Sequence, residues 1–193
     1  MAATAFLFDL DGTIWDSYPC YAIALHSYLG LTHGEAVALL RSGGNAVIHA
    51  RNCGLSNARF SRLCRDSLGD LRLYPETRET LQRLRLRGTP AGIVTNLPKW
   101  LVEPILSELN IRQYFDAVVY AARKPYPTGL IKAINDLSLN ADDDVYYVGD
   151  MPTDAQAAAF AGVSFAWASY GYGDQCPPNT DAILSSFSDV LGL

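Results

Sequence analysis

Two carboxylates, Asp9 and Asp11, flank a single leucine where the apolar run "FLFDLDG" ends. Side chains two apart on an extended chain point to the same side, so this pair gathers like charge at a strand end. Such charges repel, and burial makes the repulsion worse. The arrangement calls for a cation, a shared proton or exposure in a surface turn. Three later apolar runs also close on polar groups. "PAGIVTN" ends in Thr95-Asn96, "FDAVVYA" is followed by Arg123-Lys124-Pro125, and "VYYVGD" ends in Gly149-Asp150, with Asp154 four residues on. As strands of one parallel sheet, these runs would aim their polar ends at the crevice outside the strands' carboxyl ends, where open sheets bind ligands.

Mg²⁺ suits that set. It is a hard cation held by carboxylates, carbonyls and water, and it keeps substrate phosphate in its shell. Asp9 and Asp150, from different strands, could hold it. Lys124 adds a positive charge, while the Thr95 hydroxyl and turn amides near Gly12 and Asn96 could cradle phosphate oxygens. The cation would offset the repulsion between the acids and let a carboxylate approach an anionic phosphorus atom. Gly12 permits a close backbone approach there.

The elements that must position these groups follow from periodicity. Strands are expected over residues 5–10, 90–96, 115–121, 145–150 and 164–169, with 181–184 a weaker sixth. Most lack strict alternation, the pattern of strands covered on both faces. Helical patterns lie between them. One opens near Pro75 and stops at Gly88, another closes on Gly162, and Pro104 could kink or divide a third. Strand–helix alternation of this kind predicts a doubly wound, mainly parallel α/β sheet with right-handed crossovers. Residues 17–73 break the rhythm with four helical patterns, at 18–29, 35–40, 46–52 and 58–68, and no strand. Thr32 with Glu35 has the form of a capping box, and Ser56 is a candidate N-cap. The expected organisation is an α/β body of residues 1–16 and 74–193 with a helical cap at 17–73.

Composition narrows the class. The 193 residues are 49% apolar with a net charge of −5, which fits an ordered globular chain and argues against a nucleic-acid polymer as partner. Residues 16–75 hold six arginines against four acids, so a mildly basic segment interrupts an acidic remainder. No stretch is long and apolar enough for a membrane span, and the first residues lack the basic start of a secretory signal. Four scattered cysteines without paired spacing fit reduced thiols in the cytoplasm. The Asp142-Asp143-Asp144 run falls at a strand start, the wrong end of the sheet, and reads as a solvated loop. His26, His33 and His49 lack paired metal spacing and read as ordinary helix residues.

Taken in order, "DLDGTIWDS", "VTN", "RKPYP" and "VGDMPTDAQAA" resemble the four motifs of the haloacid dehalogenase superfamily, and within it the phosphoglycolate-phosphatase-like branch with a helical cap after motif one. The resemblance spans essentially the whole chain. It implies a Rossmann-like core and a Mg²⁺-dependent phosphomonoester hydrolase acting on a small phosphorylated metabolite. Asp9 would be the nucleophile that becomes an aspartyl phosphate, and Asp11 the acid–base partner. Thr95, Asn96 and Lys124 would bind the phosphoryl group. Asp9, Asp11 through its backbone carbonyl, Asp150 and Asp154 would hold Mg²⁺, Asp154 directly or through water. Related caps place a specificity loop near Arg41, Gly43 and Gly44. Residues 170–173, "YGYG", could line the same mouth or form an ordinary turn. A monomer or homodimer fits equally.

Other chemistries of this superfamily fit less well. Displacing halide from carbon needs no acid–base Asp two residues on, and Asp11 is present. A phosphonatase needs a cap lysine, whereas the only lysines are Lys99, Lys124 and Lys132. A sugar phosphomutase remains an alternative. From another class, a phospho-Asp signalling module uses similar groups, but there the acceptor Asp follows a later strand. A binding protein without turnover is a further alternative on this fold.

Overall fold

Short apolar runs build the sheet. In the computed structural model, which describes residues 4–41, 46–140 and 142–193, β1 is Thr4–Phe8, and its last four residues are buried. Trp15–Asp16 (β2) pairs antiparallel with Arg72–Leu73 (β3), Trp15 opposite Leu73 and Asp16 opposite Arg72. The main sheet continues with β4 (Ala91–Val94), β5 (Ala117–Val119), β6 (Asp144–Gly149), β7 (Ser164–Ala168) and β8 (Ala182–Leu184). Its order is β5-β4-β1-β6-β7-β8 and every pairing is parallel. All six expected strands are present. The β2–β3 ribbon was not foreseen, because two residues are too few to show a period.

Between β2 and β3 stand α1 (Tyr18–Leu29), α2 (His33–Arg41), α3 (Ala46–Asn52) and α4 (Asn57–Asp66). Local chemistry sets their ends. The Glu35 carboxylate accepts from Thr32 N at 2.7 Å while Glu35 N donates back to Thr32 Oγ1 at 3.2 Å, the expected reciprocal cap. Ser56 Oγ accepts from Arg59 N at 3.3 Å and starts α4. The remaining helices are α5 (Thr77–Leu86), α6 (Lys99–Glu108), α7 (Thr128–Asp136) and α8 (Pro152–Ala161). Gly88 ends α5 in the left-handed region, as expected. Pro104 does not divide α6, which runs unbroken past it with Leu101, Val102, Ile105 and Leu106 buried on one side.

The two sheet faces bury separate clusters because successive strand side chains alternate. Phe6, Phe8 and Ile93 pack with Leu81 and Leu84 of α5, Leu101 and Ile105 of α6, and Phe187 near the chain's end. That cluster continues into the helical insert through Trp15, Tyr21, Leu25 and Phe60. On the opposite face Leu7, Val94 and Tyr147 pack with Leu130 and Ala133 of α7 and with Ala155 and Ala158 of α8. Helices cover both faces, so the sheet is doubly wound. β1 has β4 on one side and β6 on the other, which opens the crevice beyond their carboxyl ends. Among the described residues no helix is long and apolar enough to cross a membrane.

Candidate active site

The three central strands each deliver a polar side chain immediately after their last residue: Asp9 after β1, Thr95 after β4 and Asp150 after β6. Register keeps these ends within one residue of one another, since Phe8 lies opposite both Ile93 and Val148, and Asp9 N donates to Val148 O at 2.9 Å. Past Asp9 the chain folds tightly over Leu10, whose carbonyl accepts from the amides of Thr13, Ile14 and Trp15. Gly12 makes this possible with φ 76°; a Cβ there would lie 2.2 Å from Asp150 Oδ2.

Lys124 is the hub. Its ammonium lies 2.7 Å from Asp9 Oδ1 and 2.6 Å from Asp154 Oδ1, and it donates to the Tyr147 hydroxyl at 3.0 Å. Asn96 holds the lysine's own loop, its side-chain oxygen accepting from Lys124 N at 2.7 Å. Thr95 is buried, and its hydroxyl accepts from Leu97 N at 3.1 Å. Asp154 caps its helix by accepting from Met151 N at 3.0 Å, yet its other oxygen faces Lys124. The helix-start role and the site role are thus one residue's two oxygens.

Asp9, Asp150 and Asp154 are all buried and offer one oxygen each within 4.8 Å of one another. Asp150 Oδ2 accepts from Tyr172 N at 2.8 Å, but Asp150 Oδ1 is buried without any partner. Three carboxylates against one ammonium leave an excess of negative charge where water cannot screen it. Burial, then the Asp154 and Asp11 charges, raise the Asp9 carboxyl to about 7 despite Lys124. Burial, with Asp154 and Asp9 added, also pushes Asp150 well above the usual range. Burial alone would depress Lys124, but Asp154 and Asp9 hold it well above its ordinary value. An orphaned acid oxygen, an all-oxygen donor set and a deficit of positive charge fit a hard divalent cation.

Asp11 lies apart from that trio. Its Oδ1 accepts from Trp15 Nε1 at 2.7 Å and from the Tyr21 hydroxyl at 3.2 Å, and burial raises its carboxyl. Its side chain is not in the acidic group, so any contribution to a cation would come from its backbone. Asp9, Asp11, Thr95, Lys124 and Asp154 line a cavity of about 230 Å³ together with Tyr18, Tyr21 and Leu40 of the insert and Tyr172, while Asp150 is buried behind them. The mouth expected at residues 170–173 is therefore present through Tyr172. Gly43, Gly44 and the Arg41 side chain lie outside the described residues. Asp142 is exposed in the loop before β6 and Asp144 is that strand's exposed first residue, while Asp143 is half-buried and accepts from Asn140 N at 2.8 Å.

Among the aromatic residues that bond the site's polar groups, Trp15, Tyr21 and Tyr147 were not foreseen. Each occupies an apolar position in its element, and the available signal was a polar tip where Phe or Leu would have packed equally well. Tyr147 shows the pattern; its hydroxyl bridges Val94 O, Lys124 and Asp154 from inside the sheet's core.

Comparison with known proteins agrees with this geometry. The family model described as haloacid dehalogenase-like hydrolase matches residues 6–168. The chain is 29% identical to a phosphoglycolate phosphatase of Yersinia pseudotuberculosis serotype I (strain IP32953), over 95% of this chain and 90% of that one. It is 30% identical to a phosphoglycolate phosphatase of Photorhabdus laumondii subsp. laumondii, over 97% and 90%. A crystal structure of a phosphoglycolate phosphatase predicted in Haemophilus somnus 129pt superposes with a TM-score of 0.74 at 25% identity, over 98% and 97%. One from Lactobacillus plantarum, at 21% identity, shares the fold with a TM-score of 0.81 over 100% and 99%. Four ordered strand ends, one buried lysine among three acids, and this likeness along nearly the whole chain agree: the chain belongs to the haloacid dehalogenase-like hydrolases, and its place is among their phosphatases.

Proposed function

We propose that this protein is a Mg²⁺-dependent phosphomonoesterase that hydrolyses a small phosphorylated metabolite through an aspartyl phosphate on Asp9. The observation that carries the reading is the buried, unpartnered Asp150 Oδ1 beside Asp9 and Asp154. Asp9, Asp150 and Asp154, with the Asp11 carbonyl, would hold the ion. When bound, it would neutralise the acids and withdraw charge from the phosphoryl group.

In the first step an Asp9 oxygen attacks phosphorus, the bond from phosphorus to the ester oxygen breaks, and the departing oxygen takes a proton from Asp11. In the second, Asp11 takes a proton from water, the resulting hydroxide attacks phosphorus, and the bond to Asp9 breaks to release phosphate. A carboxylate nucleophile divides the reaction in this way, and an acid–base partner two residues on serves both halves. Trp15 and Tyr21 both donate to Asp11 Oδ1, so the transferable proton would be carried on Oδ2. Lys124 and Thr95, with amides near Gly12 and Asn96, would hold the phosphoryl oxygens, the electrostatic task that dominates phosphoryl transfer.

The helical insert at 17–73 acts as a cap that opens for substrate and closes to exclude water. A cavity of about 230 Å³ suits a small ester. The relatives' name makes phosphoglycolate the first substrate to try. None of the four cysteines is in a disulfide, which fits the reducing cytoplasm. The test is phosphate release from p-nitrophenyl phosphate and a metabolite panel with Mg²⁺. Turnover should vanish with EDTA and in Asp9→Asn, whose fold stays intact by circular dichroism; metal-independent turnover, or wild-type rates in Asp9→Asn, would overturn the reading.

A further inference from the structure

We infer that Tyr172 is a positioning residue that sets the start of α1 over Asp9 and, through its own backbone amide, the Asp150 carboxylate. This rests on the phosphatase reading above. The helix it serves lacks a cap of its own: Ser17, at the N-cap position, makes no side-chain bond to the first turn. The amides there would be orphans. They are taken instead by a phenol 155 residues away. The Tyr172 hydroxyl accepts from Ser17 N at 2.7 Å and from Tyr18 N at 3.1 Å, and donates to Asp16 Oδ1 at 2.7 Å. Two lone pairs and one proton are a hydroxyl's whole capacity, and these three short bonds fill it, with Ser17 Oγ a longer neighbour at 3.4 Å. The rings of Tyr18 and Tyr172 stack 3.6 Å apart at 14°.

The other end of Tyr172 is fixed to the body. Its amide donates to Asp150 Oδ2 at 2.8 Å, which leaves Oδ1 as that acid's open oxygen. The flanking glycines bring the loop down onto Asp150: a Cβ at Gly171 would lie 2.4 Å from Asp150 Cβ, and one at Gly173 2.1 Å from Asp150 O. Tyr18 and Tyr172 line the active-site cavity on one side and a second cavity of about 300 Å³ on the other, with Asp16, His33 and Tyr74. The stacked pair is therefore a strut between body and insert. Any movement of α1 away from Asp9 must break the hydroxyl's bonds or drag the loop from Asp150. Insert position and the aim of Asp150 are linked through one residue, its hydroxyl at one end and its backbone amide at the other.

Tyr172→Phe isolates the hydroxyl, since it keeps the ring stack and the amide. It should raise KM for p-nitrophenyl phosphate about tenfold at saturating Mg²⁺, the scale of one or two lost hydrogen bonds, with kcat within about twofold. Hydrogen exchange of the Ser17 and Tyr18 amides should accelerate by a similar factor without substrate. The thermal shift produced by Mg²⁺ should persist, whereas in Gly171→Ala it should shrink because the loop is forced off Asp150. Unchanged KM and exchange in Tyr172→Phe, even with a lower Tm, would mean a merely structural tyrosine and overturn the inference; so would a fall in kcat at constant KM. If the wild-type protein turns over nothing, the phosphatase reading fails, and the exchange and Mg²⁺-shift arms still decide the strut.

Discussion

Asp9 and Asp154 are joined by one ammonium, that of Lys124, at 2.7 and 2.6 Å. The lysine side chain is 4% exposed, so the bridge is shielded from solvent and from screening by salt. It is also incomplete, because Asp150 adds a third buried acid with no second cation among the described residues of the cluster.

Lys124→Met should therefore be far more damaging than the loss of a surface lysine. It leaves Asp9 and Asp154 facing each other unpaired and removes the charge beside the phosphoryl position. A fall of about 10²–10³-fold in kcat/KM is expected. Lys124→Arg should not rescue it, because a planar guanidinium cannot occupy the point shared by Asp9, Asp154 and the Tyr147 hydroxyl. Steady-state kinetics with p-nitrophenyl phosphate decide this; an Arg variant at wild-type rate would contradict the geometry.

The acids also predict how stability depends on pH. Asp9 and Asp150 are both raised in the folded chain, so between the unfolded value near about 4 and the folded one the native state binds more protons than the unfolded state. Their contribution is full below the unfolded value and is lost as pH rises through the folded one, about 7 for Asp9. In EDTA this contribution should lower Tm as pH goes from 5 to 8. A divalent ion competes with those protons, so the Tm gain on adding Mg²⁺ should be larger at pH 8 than at pH 6. Thermal scans at matched ionic strength test it, and a gain that is flat or reversed with pH counts against a cation among these acids.

Gly12→Ala should separate backbone strain from site geometry. Its φ of 76° costs about 1–3 kcal/mol for a residue with a Cβ, and that Cβ would strike Asp150 Oδ2. Gly30 has a similar φ of 69° with nothing within 4 Å. Both alanine variants should lose stability, but only Gly12→Ala should lose turnover and the Mg²⁺ thermal shift. Equal effects in the two would show that strain alone is responsible.

Most of the body was legible because each motif lies beside its own apolar run. Asp9, Thr95 and Asp150 follow buried strands directly, and short continuous apolar runs mark such strands without tertiary knowledge. The Thr32–Glu35 and Ser56 caps were legible for the same reason, since a cap is closed within three residues. The β2–β3 ribbon joins residues 56 and 58 apart through two-residue strands too short to carry a period. Pro104 does not divide α6 because the local rule for helix breaking competes with four buried neighbours on the same helix.

What the amino-acid order determined by itself is which side chains end the strands, and so which acids and which lysine must share one crevice once the strands lie parallel. What only the tertiary structure decided is how their individual oxygens are spent. Asp11 is turned to Trp15 and Tyr21, Asp154 divides itself between Met151 and Lys124, and Asp150 keeps one oxygen bare because Tyr172 takes the other. Those assignments depend on partners up to 30 residues away, brought within 3.2 Å by packing. A hydrogen bond is satisfied by position and direction, and a linear order of residue types carries neither.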